Sequence, residues 1–276
     1  MKKLMFAAAL AGAMTGLCDV SSANVVGYIT KTINYKNNLG ASPMLQIGAE
    51  VGKSISINAI KPIVGKDTDL AGGDVQLKTL KANGKINDTY GFYTAEQAFE
   101  IDGIEEDGWF LDDEIRATGD DEVIFNEGEG FILYTELDDG VVSFTFAGEV
   151  AKGVTTYQVG YKNNLQGNVT AVKIDMNQVK VGDQLDALNN PIVTDDLAGG
   201  DIQIKTWKAN GKINDTFAFY PAEQAFEIDG IKEDGWFLDD EIRCVEDNKV
   251  EFKSGEGFVV YSEREDGAYV QLPSAL

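Results

Sequence analysis

Not one histidine occurs in the 276 residues of this chain. That absence removes Ser-His-Asp and Cys-His catalysis, every His-based zinc site and any imidazole switch near neutral pH. Cysteine is almost as scarce, with only Cys18 and Cys244 present. Basic residues are outnumbered two to one, 23 Lys and Arg against 46 Asp and Glu. Nucleic acid and anionic membrane surfaces need a basic footprint, so both are excluded as partners.

Long hydrophobic runs are also missing, apart from residues 4–17 behind Lys2 and Lys3. That run falls short of the roughly 20 residues needed to span a bilayer. Followed by Ser21-Ser22-Ala23, it has the form of a secretory signal peptide, 1–23, and implies a mature chain that starts at Asn24. Cys18 sits where a lipoprotein would carry its anchor, but Leu17 stands where a lipobox takes a small residue. Removal of the leader takes away Lys2, Lys3, Cys18 and Asp19, leaving 21 basic and 45 acidic residues and a net charge of −24. Cys244 is then alone, no internal disulfide can form, and stability must come from packed cores. The expected location is outside the cytoplasm: extracellular, periplasmic or at the cell surface, with no transmembrane segment after cleavage.

What the chain does contain, it contains twice. AGGD at 71–74 returns at 198–201, Trp109 returns as Trp236, and GEGF at 128–131 returns at 255–258, a period of 127 residues. A period this long signals domain duplication rather than a solenoid. The expected domains are 24–150 and 151–276. Residues 69–116 match 196–243 at 41 of 48 positions, whereas 117–140 match 244–267 at only 11 of 24. A constraint, or gene conversion, has therefore acted on the first block.

Short runs rich in β-branched and aromatic residues, punctuated by Gly, Asn and Asp, predict strands throughout. VVGYITKTINY (25–35), GFILYTE (130–136) and GFVVYSE (257–263) are examples. Within the faithful block, Asn83-Gly84 and Asn210-Gly211 separate alternating runs, which predicts two-residue hairpin turns. That register sets Leu77 opposite Tyr90 and Ile204 opposite Phe217 on a buried face. Gln203, Lys205, Trp207, Asn214 and Thr216 are left on a solvated one. AEQAF, at 95–99 and 222–226, is the single helical piece per copy. The expected fold class is all-β: two tandem homologous sandwich- or barrel-like domains with at most one short helix each.

The sixteen-mer IDGIEEDGWFLDDEIR (101–116), repeated at 228–243 with Glu105 changed to Lys232, carries the densest chemistry. Read as an EF-hand with Gly108 in the invariant glycine position, it places Asp107, Phe110 and Glu114 acceptably. Gly103 or Gly230 then occupies the first ligand position and Lys232 the third in the second copy, so no EF-hand forms. A looser calcium site remains on hard oxygen donors: Asp107, Asp112, Asp113 and Glu114, with Asp234, Asp239, Asp240 and Glu241 in the second copy. The plainer reading is an acidic solvated turn anchored by Trp109 and Phe110. Ca²⁺ is the only cofactor these donors suggest.

Paired carboxylates also raise the alternative of a carbohydrate-active hydrolase, with one carboxyl's pKa raised by burial. Adjacent Asp112 and Asp113 cannot themselves form such a pair, since neighbours on a strand or turn diverge. Trp207 could stack on a sugar, but Leu80 replaces it in the first copy, which favours a domain contact. GEGF lacks the spacing and following helix of a phosphate loop and reads as a turn that launches a strand. Asn87-Asp88-Thr89 and Asn214-Asp215-Thr216 match glycosylation acceptors.

Asn24-Val25-Val26-Gly27-Tyr28, the later Asp-Gly-Trp, and a Gly-Glu-Gly-Phe strand leading to Ala147-Gly148-Glu149-Val150 resemble a group of uncharacterised secreted bacterial proteins. Its members are β-rich with an ANVVGY-type mature N-terminus. The resemblance implies secretion and a β-rich fold, and it brings no functional residues with it. The expected function is a non-catalytic structural, cell-surface or binding protein, Ca²⁺-assisted at most, with glycans or other surface components as partners.

Overall fold

The computed structural model describes residues 26–33, 39–41, 54–65, 68–126, 128–137, 141–149, 153–168, 172–208, 212–244, 249–253 and 255–273. The leader, the cleavage site and the 150/151 boundary expected from sequence lie outside these residues.

The first half contains β1 (Val26–Ile33), β2 (Leu39–Ala41), β3 (Ser54–Ser56), β4 (Pro62–Val64), β5 (Val75–Leu80), β6 (Ile86–Tyr93), α1 (Ala95–Asp102), β7 (Gly108–Leu111), β8 (Ile115–Arg116), β9 (Ile124–Asn126), β10 (Phe131–Thr135) and β11 (Val142–Glu149). The second half contains β12 (Thr155–Val159), β13 (Lys162–Gly167), β14 (Ile174–Asp175), β15 (Lys180–Gly182), β16 (Gln184–Leu185), β17 (Pro191–Ile192), β18 (Ile202–Trp207), β19 (Ile213–Tyr220), α2 (Ala222–Asp229), β20 (Gly235–Leu238), β21 (Ile242–Arg243), β22 (Glu251–Phe252), β23 (Gly257–Ser262) and β24 (Ala268–Leu272). The chain is all-β, as its composition predicts.

The strand order of the first half recurs in the second. A three-stranded sheet β1-β11-β4 and a six-stranded sheet β2-β10-β5-β6-β7-β8 recur as β12-β24-β15 and β13-β23-β18-β19-β20-β21. Every sheet draws its strands from one half. The first strand of each half pairs antiparallel with the last, Val26 with Glu149 and Thr155 with Leu272, so each half is closed on itself. Alternation places Val75, Leu77, Phe131 and Leu133 of the larger sheet against Ile33, Val142 and Phe144 of the smaller one, all buried.

The hairpin β5–β6 keeps the predicted register on its core side, with Leu77 opposite Tyr90, but its turn differs. Lys81 and Lys85 close a three-residue loop, Ala82-Asn83-Gly84, in which only Gly84 has positive φ, 77°. A type I′ turn needs both Asn83 and Gly84 left-handed. Here the Asn83 side chain instead accepts from the Lys85 N–H at 3.0 Å and holds the longer loop. The extra residue is absorbed by a bulge in which Asn87 and Asp88 together oppose Thr79. Thr79 Oγ1 accepts from the Asp88 N–H at 3.2 Å there. Thr206 and Asp215 repeat the bond in the second half, and Ile204 lies opposite Phe217 as expected.

The face of β18 expected to be solvated is partly covered. Trp207 and Leu80, equivalent positions of the repeat, both pack on a small cluster of Ile132, Leu165 and Val259. The two halves thus meet through corresponding faces. The free edge of β13 is also occupied by the first half. Asn163 N–H donates to the Ala82 carbonyl at 2.9 Å, Gly130 N–H to Leu165 at 2.8 Å, and Gly167 N–H to Gly128 at 3.1 Å. GEGF is a turn, closed in the first copy by Glu129 N–H to the Asn126 carbonyl, and it launches β10 and β23 as expected.

Candidate functional site

The sixteen-mer begins in α1, whose last turn is stopped by Gly103 at φ 77°, a conformation that other residues adopt at a cost. From there residues 103–107 loop back to β7. Arg116 organises the loop. Its Nε lies 2.5 Å from Asp102 Oδ2, and its other nitrogens donate to the carbonyls of Ile104, Glu106 and Asp107 at 3.3, 3.0 and 3.4 Å. The guanidinium lies 4.8 Å above the Phe110 ring, and its side chain is only 9% exposed. Arg243 repeats every contact with Asp229, Ile231, Glu233, Asp234 and Phe237. The sequence signal for this pair is an Asp and an Arg at one fixed spacing in both copies. Asp102 and Asp229 are held below the usual carboxylate range, chiefly by hydrogen bonds from these arginines.

The candidate calcium ligands separate into two groups. Asp112 and Asp113 are the central residues of a tight turn, φ 48° and 64°, closed by Glu114 N–H to the Leu111 carbonyl at 3.0 Å. Asp239 and Asp240 match at 49° and 62°. Aspartate tolerates this left-handed backbone better than most residues, so the turn itself accounts for the Asp-Asp pair. Asp113 accepts from the Tyr93 hydroxyl; burial, followed by that carboxylate, pushes the Tyr93 pKa up to about 12. Asp240 stands in the same relation to Tyr220, raised for the same reasons. Glu114 and Glu241 are exposed at the turn's end.

Asp107 lies at the far end of β7, five residues from Asp112, or about 16 Å along an extended strand. It pairs with Lys61 at 2.5 Å, while Asp234 accepts from the Ala222 N–H at 2.8 Å. The structure does not bring Asp107 together with the triplet, nor Asp234 with Asp239–Glu241. Among the described residues, no three His, Cys, Asp or Glu side chains are grouped to hold a metal ion. Among the described residues, the carboxylates whose pKa departs from its ordinary value, Asp102, Asp183, Asp186, Asp229 and Glu251, all move down. A hydrolase's general acid needs the opposite shift.

Above Trp109 and Trp236 the geometry is more telling. Each indole is buried, edge-on to Phe92 or Phe219, with centroids 5.3 and 5.4 Å apart. The indole N–H donates to the carbonyl of Ile60 in one copy and Val179 in the other. Beside each lies a cleft, about 350 Å³ in the first half and about 600 Å³ in the second. Asn58, Lys61, Phe92, Glu106, Asp107, Gly108, Trp109 and Arg116 line the first. Asn177, Lys180, Phe219, Glu233, Asp234, Gly235, Trp236 and Arg243 line the second. These eight correspond in type, whereas Thr118 lines only the first cleft and Val179, Val181, Pro191, Ile192 and Val193 only the second.

The amides of Asn58 and Asn177 are tied to the carbonyls of Ala117 and Cys244, which fixes one wall in each copy. The Lys61–Asp107 pair bridges the smaller cleft, and no such pair joins Lys180 to Asp234. Sequence reasoning missed the Asn and Lys because they repeat at an offset of 119, not 127. The readable signal was Asn-Ala-Ile-Lys against Asn-Gln-Val-Lys.

No family model, curated protein or solved structure matches the chain. No helix among the described residues is long and apolar enough to cross a membrane.

Proposed function

We propose that the protein is a secreted, non-catalytic binding protein that presents one cleft twice, each copy engaging a glycan or another cell-surface component. The observation that carries this reading is the recurrence of eight lining residues in two clefts built by separate halves. A purely structural turn does not require Lys61, just ahead of β4, and Lys180, which opens β15, to recur opposite the same acidic loop. The ammonium, carboxylate and amide groups that line both clefts suit a saccharide that carries charged substituents. The leader-like N-terminus and the ANVVGY-type start support export, and the absence of histidine supports binding over catalysis. Two equivalent sites on one chain gain avidity for a repeating surface polymer.

Calorimetric titration with uronate- and amino-sugar-containing oligosaccharides tests this. Two ligands should bind per chain, falling to one in Lys61→Ala and to one in Lys180→Ala. No binding, or a stoichiometry unmoved by either substitution, would overturn the proposal.

A further inference from the structure

The two clefts share eight lining residues but not their rims. Between Lys61 and Leu70 the first half runs eight residues, and between Lys180 and Leu197 the second runs sixteen. The extra length is the hairpin β16–β17, laid over β15. In the first half, β4 holds Pro62-Ile63-Val64 against β11, with Phe144 opposite Pro62. In the second, Val181 and Gly182 take that place against β24, and another Pro-Ile-Val, residues 191–193, folds back over them.

Gly182 permits this approach. A Cβ there would lie 2.4 Å from the backbone nitrogen and oxygen of Ile192, whereas Ile63, at the matching place of β4, is 55% exposed. The hairpin is braced from within. Asp183 accepts from the backbone N–H and the hydroxyl of Thr194 at 2.9 and 2.5 Å. Asp186 accepts from the N–H groups of Leu188 and Asn190, each at 2.8 Å, and buried Gln271 donates to the Asn189 carbonyl at 3.4 Å. The wall it presents is open. Ile192 is 40% exposed and Pro191 and Val193 are partly exposed, all three lining the second cleft. Among the described residues that line the first cleft, none is aliphatic.

We infer that the second cleft, unlike the first, selects N-acylated amino sugars, with Pro191, Ile192 and Val193 as its acyl-binding wall. The inference rests on the proposal that both clefts bind charged saccharides. The eight shared residues fix a common sugar core, and the larger volume, about 600 Å³ against about 350 Å³, is bounded by pre-organised aliphatic carbon. A free ammonium set against that wall would give up water without gaining a partner. Acylation removes its charge and adds carbon that the wall covers.

The experiment titrates the full mature chain calorimetrically with one uronate-containing amino-sugar oligosaccharide in three forms: free amine, N-acetyl and N-propionyl. Lys180→Ala isolates the first cleft and Lys61→Ala the second. In Lys61→Ala, the step from acetyl to propionyl should tighten binding about fourfold, the value of one buried methylene. In Lys180→Ala the same step should bring no gain. Adding Ile192→Ser to Lys61→Ala should remove the gain, and adding Leu188→Ser, at the 81% exposed tip of the hairpin and outside the lining, should keep it. Equal gains at both clefts, a gain that survives Ile192→Ser, or one that Leu188→Ser also removes would overturn the inference. Equal binding of all three forms would overturn it while leaving saccharide binding intact, and failure of every form to bind either cleft would remove both.

Discussion

Arg116 reaches back fourteen residues to Asp102, with Nε 2.5 Å from Oδ2, and on the way it takes up three carbonyls of the loop between them. This pair gives residues 102–107 their shape. Arg116→Met should unfold the loop locally, with accelerated amide exchange over residues 103–107, and lower the melting midpoint more than Asp102→Asn does. Arg243→Met should act equally on residues 230–234. Because Asp102 and Asp229 are lowered, their contribution is complete above the ordinary carboxylate pKa of 3.8 and is lost as pH falls below it. Acid titration of Arg116→Met should show a shallower loss of stability below pH 3.8 than the native chain.

At the alkaline end, Tyr93 and Tyr220 contribute. Their raised values mean that the folded state holds a proton that the unfolded state releases near pH 10. Stability is therefore full below pH 10 and declines as pH rises towards about 12, where Tyr93 itself ionises. Ultraviolet titration of tyrosinate should find both phenols late in the native chain. Asp113→Asn should bring Tyr93 earlier, and Asp240→Asn should do so for Tyr220.

The Asp-Asp turns should respond to backbone chemistry and not to calcium. Asp112→Gly removes left-handed strain and should cost nothing or stabilise, whereas Asp112→Val should destabilise by about 1–2 kcal/mol. Melting midpoints in millimolar Ca²⁺ and in EDTA should coincide, since no group of carboxylates meets there. A rise with Ca²⁺ that Asp112→Gly abolishes would restore the metal site.

Cys244 is fully buried, and burial pushes its thiol up to about 11. A thiol reagent at neutral pH should leave it untouched in the native chain and modify it fully in denaturant. Cys244→Ala, which copies Ala117 of the first half, should cost less than about 1.5 kcal/mol, as conservative core exchanges do.

Strand content and the core side of the hairpins were readable because alternation is a local signal. Leu77 opposite Tyr90 and Ile204 opposite Phe217 follow from alternation alone. The turn at Gly84 was not readable, because the Asn83 side chain chose a longer loop and a bulge opposite Thr79 absorbed it, two departures that cancel by the time the strands reach the core. Asn58 and Lys61 escaped notice because their repeat is offset. Trp207 packs on Ile132 of the other half, the domain contact that its exchange for Leu80 in the repeat pointed to, although alternation alone left that face solvated. The acidic triplet looked like a site for a reason that does belong to it: aspartate is favoured both by cations and by left-handed turns.

The occupied edge of β13 reaches beyond architecture. A bare edge strand is a template on which another chain can add itself. Here Ala82, Gly128 and Gly130 of one half hold the edge that the other would otherwise offer. These contacts give the chain an internal guard against polymerising through that strand.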